Sequence, residues 1–235
     1  MSIDIRAIRR HLDSIRGVLT DDESAELDRL MQKHDRATAL EVHADSAVST
    51  VAETVAASLS ADADDADLIA AAAKVPNPAS LKLVAARVAR AAEREARNLV
   101  TSKRADLIKM LNDELDAVRK AAAKLLPTVL PIANASDAIR AGKSKEWAAV
   151  EDLHAEHQGL RREIDRLRFD GLLASFKNDD GYSTWRHPET APGYYDRPAF
   201  RQFAEDVERH AYIPLSQAEV DQVRAADEKV AADVR

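Results

Sequence analysis

Apolar positions recur along this chain at alternating steps of three and four, the period of a helix that buries one face. In "IDIRAIRRHLDSIRGVL" the stripe is Ile5, Ile8, Leu12, Ile15 and Leu19, and Gly17 marks its end. "TDDE" (Thr20 to Glu23) then reads as a capping box, in which hydroxyl and carboxylate each satisfy an orphan backbone N–H. A second pattern follows at heptad spacing through Leu27, Leu30, His34, Ala37, Glu41, Ala44, Val48, Val51 and Val55. His34 and Glu41 interrupt it, so residues 21–59 predict either one helix or two. "SADADDADLIAAAAKV" predicts a short helix with acids in its first turn, where the dipole favours them, and Pro76 and Pro78 stop it.

From Ala79 to Leu126 there is neither Gly nor Pro, and one long basic helix is expected over 79–126. Its ends are apolar, through Leu81, Val84 and Val88 and through Ile108, Leu111, Leu115, Val118 and Leu125. Its waist, "EREARNLVTSKRAD", is polar all round, as where a long helix bridges two packed regions or breaks. "LPTVLP" closes it, because two prolines so near each other do not fit inside one helix. A short helix capped by Ser136 leads into a coiled-coil-like one, with 132–175 as that segment. Its seam is Val150, Leu153, His157, Leu160, Ile164 and Leu167. Residues 176–235 predict an extended aromatic loop followed by two short helices. The first carries Phe200, Phe203 and Val207 on one face, and a second capping box, "SQAE" at Ser216 to Glu219, opens the other.

No alternating β-branched run appears, so the expected fold class is all-α: long helices in an elongated bundle or coiled-coil arrangement. Residues 1–75 form its acidic helical segment. Composition agrees, with alanine about a fifth of the 235 residues and only 6 Gly and 8 Pro. Nine of the ten aromatic residues lie between Phe169 and Tyr212, and Trp147 is the other. The aliphatic first part suits close helix–helix packing; the aromatic last part suits docking. There is no cysteine, hence no disulfide and no thiolate metal site. No apolar run reaches a membrane span, and "MSIDIRAIRRHL" lacks a signal peptide's apolar core, so a cytoplasmic protein is expected.

Candidate chemistry begins with "HAEH", His154 to His157. It is one residue short of the H-E-x-x-H and H-x-x-E-H zinc patterns, and no third ligand stands nearby. His157 sits on the seam, where one polar residue fixes register, so no metal and no cofactor is expected. Residues 71–130 hold 12 Lys and Arg against 6 Asp and Glu, and residues 1–70 hold 7 against 15. Within the basic segment Arg87, Arg90, Arg94 and Arg97 share a face, which Arg104 extends. Such a stripe could follow a nucleic-acid backbone, but no aromatic interleaves it, and an acidic protein surface is the better match. In the loop, Tyr182, Trp185, Tyr194 and Tyr195 are residue types that anchor interfaces. If the loop did chemistry, Asp179, Asp180, His187 and Asp196 with Tyr182 and Arg186 would carry it, yet no nucleophile or phosphate-loop spacing is present.

The chain as a whole resembles assembly proteins of bacterial virus particles: acidic, alanine-rich, segmented into long helices, without cysteine, and with an adhesive terminal segment. The expectation is a non-enzymatic structural protein acting through helix packing and self-association, its partner another copy or another structural protein, located in the cytoplasm or in a virion. A helical nucleic-acid binder using the arginine stripe is the alternative, and an enzyme with its site in residues 178–198 is the third reading.

Overall fold

A computed structural model describes residues 3–58, 70–71, 73–176, 181, 183–188 and 200–233. The fold is all-α. Of the expected helix over residues 60–75, only 70–71 and 73–75 are described; Tyr182, Tyr194, Tyr195, Asp179, Asp180 and Asp196 lie outside the described residues. The chain divides into two compact units, Asp4–Ser102 and Lys103–Arg235 with Met1–Ile3. No helix among the described residues is long and apolar enough to cross a membrane.

The N-terminal unit begins with two short helices in place of the single one expected. α1 is Ile5–Arg10 and α2 is Leu12–Arg16, broken at His11, whose side chain is buried. Asp4 caps α1 by accepting from the Ala7 N–H at 2.7 Å. Thr20 and Glu23 form the capping box and open α3, Asp21–Ala57, a single helix of 37 residues. Arg9 pairs with Asp35, and Arg16 holds both carboxylate oxygens of Asp28 at 2.7 and 2.8 Å, tying α1 and α2 to α3. α4, Pro78–Ser102, packs along α3.

The face that α4 buries differs from the one its large apolar residues suggest. Ala85, Ala89, Ala92, Ala96 and Val100 are buried, while Leu83 and Val84 are 54% and 57% exposed. An alanine face lets two helix backbones approach closely, and branched side chains on the same face would hold them apart. Leu81, Val84 and Val88 therefore flank this contact rather than forming it.

The expected helix over 79–126 is two helices, and its break at Lys103 falls in the polar waist, where the two units divide. α5, Arg104–Val129, opens the C-terminal unit. It runs through Pro127 and ends before Pro131, which corrects the boundary expected at residue 126. Pro127 is exposed and gives up the N–H bond to the Ala123 carbonyl, yet the helix ends two residues later, and Leu130 N–H still reaches the Leu126 carbonyl at 2.8 Å. α6, Ala135–Arg140, is capped by Asn134 rather than Ser136: the Asn134 carboxamide oxygen accepts from Asp137 N–H at 3.0 Å.

α7, Ser144–Phe169, packs on α5 and α6. Of its expected seam Val150, His157, Ile164 and Leu167 are buried, and Leu153 and Leu160 are half-buried. Gly171, at φ +79°, lets the chain turn back so that Leu172 N–H caps the Leu167 carbonyl at 2.9 Å, burying Leu172 and Leu173. The core of this unit joins Val118, Ala122 and Leu126 of α5 to Trp147 and Val150 of α7 and to Phe200, Phe203 and Val207. Phe203 and Val207 belong to α8, Arg201–Glu208. Asn112 then brackets the backbone of Ile213, donating to its carbonyl at 2.9 Å and accepting from its N–H at 2.7 Å. α9 is Gln217–Asp233. At its start Ser216 accepts from Glu219 N–H at 3.2 Å, while the Glu219 carboxylate reaches Leu215 N–H at 2.8 Å.

Candidate functional site

Three features of α7 and α8 meet around one carboxylate that the sequence did not single out. Asp206 lies on the buried face of α8, one turn after Phe203, and its side chain is 1% exposed. Its Oδ1 accepts from Trp185 Nε1 at 2.6 Å. Its Oδ2 stands 3.2 Å from His157 Nε2 and 3.6 Å from Arg161 Nε, but neither contact has hydrogen-bond geometry. A buried carboxylate is stable when opposite charge and donors surround it, and Trp185, His157 and Arg161 provide that shell.

His154 and His157 occupy adjacent turns of α7. His154 stacks on Phe203, with ring centres 5.4 Å apart, and meets the edge of Phe200 at 5.6 Å. Its Nε2 is 2.9 Å from Gln158 Nε2. Burial holds both histidines below the ordinary imidazole pKa; for His157 it outweighs the opposing pull of Asp206. Beside them opens a cavity of about 250 Å³ between α7 and α8, whose rim includes Arg161, Arg162 and Gln202. Among the described residues no group of three or more His, Asp and Glu side chains is placed to hold a metal ion.

Trp185 is half-buried, clasped by Asp206 on one side and by the Arg209 guanidinium, 5.1 Å from its ring centre. A short antiparallel bridge, Trp185 to Ala211, fixes this stretch: Arg186 N–H donates to the His210 carbonyl and Tyr212 N–H to that of Thr184, each at 3.0 Å. His210 adopts φ +57°, a conformation costly for a non-glycine residue, and its Nε2 lies 2.9 Å from Asp116. Arg186 lies over the Tyr212 ring at 4.3 Å and 3.5 Å from Glu219. Burial, helped by Glu219, pushes the Tyr212 hydroxyl up to about 12. His187 is exposed.

The arginine stripe is shorter than the sequence suggests. Arg87, Arg90 and Arg94 are exposed, and Arg97 lies 3.4 Å from Glu93. Arg104 belongs to the other unit, where it donates to the carbonyls of Leu172 at 2.9 Å and Gly171 at 3.2 Å. It cannot serve a bound backbone while it holds that turn.

A second surface lies wholly within the N-terminal unit. Because alanines form the α3–α4 contact, Leu40, Val84 and Val88 flank a groove of about 390 Å³ floored by Ala37 and Ala85. Arg29, Lys33 and Arg36 border it. Asp22, Glu26, Arg29, Lys33, Arg36 and Leu40 follow one another along α3 at alternating steps of four and three, a single stripe. All are exposed except half-buried Glu26, which holds Arg29 through two bonds of 2.7 Å.

Compared with known proteins, the chain matches no family model, no curated protein and no solved structure.

Proposed function

We propose that this chain is a non-enzymatic structural protein that self-associates through the α3–α4 helix pair. The groove with its charged stripe carries the reading. A stripe ordered Asp22, Glu26, Arg29, Lys33, Arg36 is complementary to its own reverse. Two copies of α3 laid antiparallel about a two-fold axis near Arg29 set Asp22 against Arg36 and Glu26 against Lys33, twice each. The meeting of the two Arg29 side chains is relieved by the Glu26 carboxylate each already holds. Exposed ion pairs contribute only about 0.2–1 kcal/mol apiece, so they set register and orientation. The driving force is burial of the exposed Leu40 and Val84, at about 25 cal/mol per Å² of apolar surface removed from water.

The compositional resemblance to virion assembly proteins supports placing such an assembly in a bacterial virus particle. The nucleic-acid alternative has less support, with Arg97 beside Glu93 and Arg104 engaged on carbonyl oxygens. Sedimentation over a range of concentrations tests the proposal. The chain should associate as concentration rises, and Leu40→Asp should hold it at the monomer mass with helix content unchanged. An unaltered chain that stays monomeric throughout would defeat it.

A further inference from the structure

The cavity between α7 and α8 is unusual in what its polar groups have left to offer. Arg161 makes no hydrogen bond among the described residues; its ion-pair partner there is the Asp206 carboxylate, 3.6 Å from Nε, and the Arg168 guanidinium lies near enough to repel it. Arg162, an exposed residue of the cavity rim, donates through Nε to the Gln158 carbonyl at 3.1 Å, which lays its side chain along α7. Gln202 faces the same space from α8. Of the nearby acceptors, Asp206 Oδ1 takes the Trp185 N–H and the Gln158 carbonyl takes the Arg162 Nε–H, while Asp206 Oδ2 faces His157 and Arg161 without a hydrogen bond and the exposed Asp165 lies 3.8 Å from Arg168. The wall therefore presents two guanidinium groups and an amide beside the carboxylates of Asp165 and Asp206.

A second observation points to a missing partner. His157 and Asp206 are both more than nine-tenths buried, line the cavity, and each keeps a polar atom without a hydrogen bond. Buried polar atoms are normally satisfied, and exceptions gather where something else completes the site. Arg161 touches this pair and faces the cavity, so a ligand bound to its outer N–H groups would pull it into register with the buried carboxylate.

We propose that this cavity binds a phosphate group. Two arginines on consecutive residues and an amide from the facing helix line the cavity. That suits a tetrahedral anion with several acceptor oxygens better than a flat carboxylate with two. Guanidinium forks bind phosphate oxygens in pairs, and the buried Asp206 holds one of them in place. The phosphate is either inorganic phosphate or the phosphoryl end of a small monoester. This site is independent of the self-association surface, which lies on the other unit.

The test is a titration of the full chain by phosphorus NMR at constant ionic strength, using inorganic phosphate and phenyl phosphate separately. Either probe should bind saturably below about 10 mM, the range that a millimolar site fills. The tighter of the two identifies the source. Arg161→Gln and Arg162→Gln should each weaken binding about tenfold or more, because a charged fork is lost, whereas Arg87→Gln should change nothing. In the unaltered chain the ring proton resonances of His154 and His157 should shift with the same midpoint, a readout that stands even where a variant does not fold. Absence of saturable binding by both probes, or binding that survives both arginine changes undiminished, overturns the proposal.

Discussion

Replacing Trp185 by Phe removes the indole N–H together with the rest of the second ring, and the N–H is the part on which a buried charge depends. The Nε1–H donates to Asp206 Oδ1 over 2.6 Å, and the carboxylate receiving it is 1% exposed, so water cannot substitute without opening the site. A hydrogen bond to a charged group contributes about 1.5–3 kcal/mol, and a buried acceptor left alone sits at the upper part of that range. Trp185→Phe should therefore cost the C-terminal unit about 2–3 kcal/mol. Both tryptophans, Trp147 and Trp185, lie in that unit, so Trp147 fluorescence follows its unfolding in the variant. With a urea slope of about 1–3 kcal/mol per molar, the midpoint should drop by roughly 1 M. Asp206→Ala, which removes the acceptor, should cost at least as much, and the double variant should cost less than the two singles added, by about 1 kcal/mol or more, since both remove the same bond. A Trp185→Phe loss under about 0.5 kcal/mol, or strict additivity, would refute the view that this bond anchors the segment.

Three more outcomes follow from the geometry. Burial holds His154, His157 and His210 below the ordinary value of 6.5, so the unfolded chain takes up protons first as pH falls; their contribution is complete above 6.5 and lost below it. Urea midpoints should fall between about pH 7.5 and about pH 5.5, and His157→Gln should flatten that fall. Glycine-to-alanine changes should rank by surroundings. Gly159, mid-helix in open space, should gain about 0.5–1 kcal/mol. Gly142, at φ +67° in open space, should lose about 1–2 kcal/mol. Gly181, at φ +87° with Trp185 2.9 Å from the added Cβ, should lose most, all read by the same urea titration. Ile164→Ala, at a fully buried seam position, should cost about 2–5 kcal/mol, and Leu160→Ala, half-buried, distinctly less.

Much of this architecture is legible in the residues. The Thr20–Glu23 capping box, the three-and-four spacing through Val150, His157 and Ile164, and the aromatic face of α8 are local signals, and locality is what spacing records. The misses arise where packing overrides size or where no local signal exists. Hydrophobic spacing gives Leu81, Val84 and Val88 more weight than alanine, yet close approach to α3 selects Ala85, Ala89, Ala92 and Ala96. The break at Lys103 carries neither Gly nor Pro, and the polar waist around it was the available sign. Pro127 looked decisive, but it costs α5 one backbone bond, and the helix ends two residues after it. Asp206 has no motif around it. Its one sign was position, an acid between Phe203 and Val207 on a face otherwise apolar. Of the "HAEH" histidines His157 sits on the seam and His154 on its flank, and both border a cavity, a combination that spacing alone presents as a choice between the two.

Self-association through α3 is tested most directly by mixing two charge-reversed variants in the analytical ultracentrifuge. Asp22→Lys with Glu26→Lys makes the stripe wholly basic, and Lys33→Glu with Arg36→Glu makes it acidic at every charged position but Arg29. Each variant alone should sediment as a monomer, because antiparallel copies now set like charges opposite one another, while an equal mixture should recover the mass of the unaltered assembly. Variants that associate alone as well as the unaltered chain does, or a mixture that stays monomeric, would contradict this account.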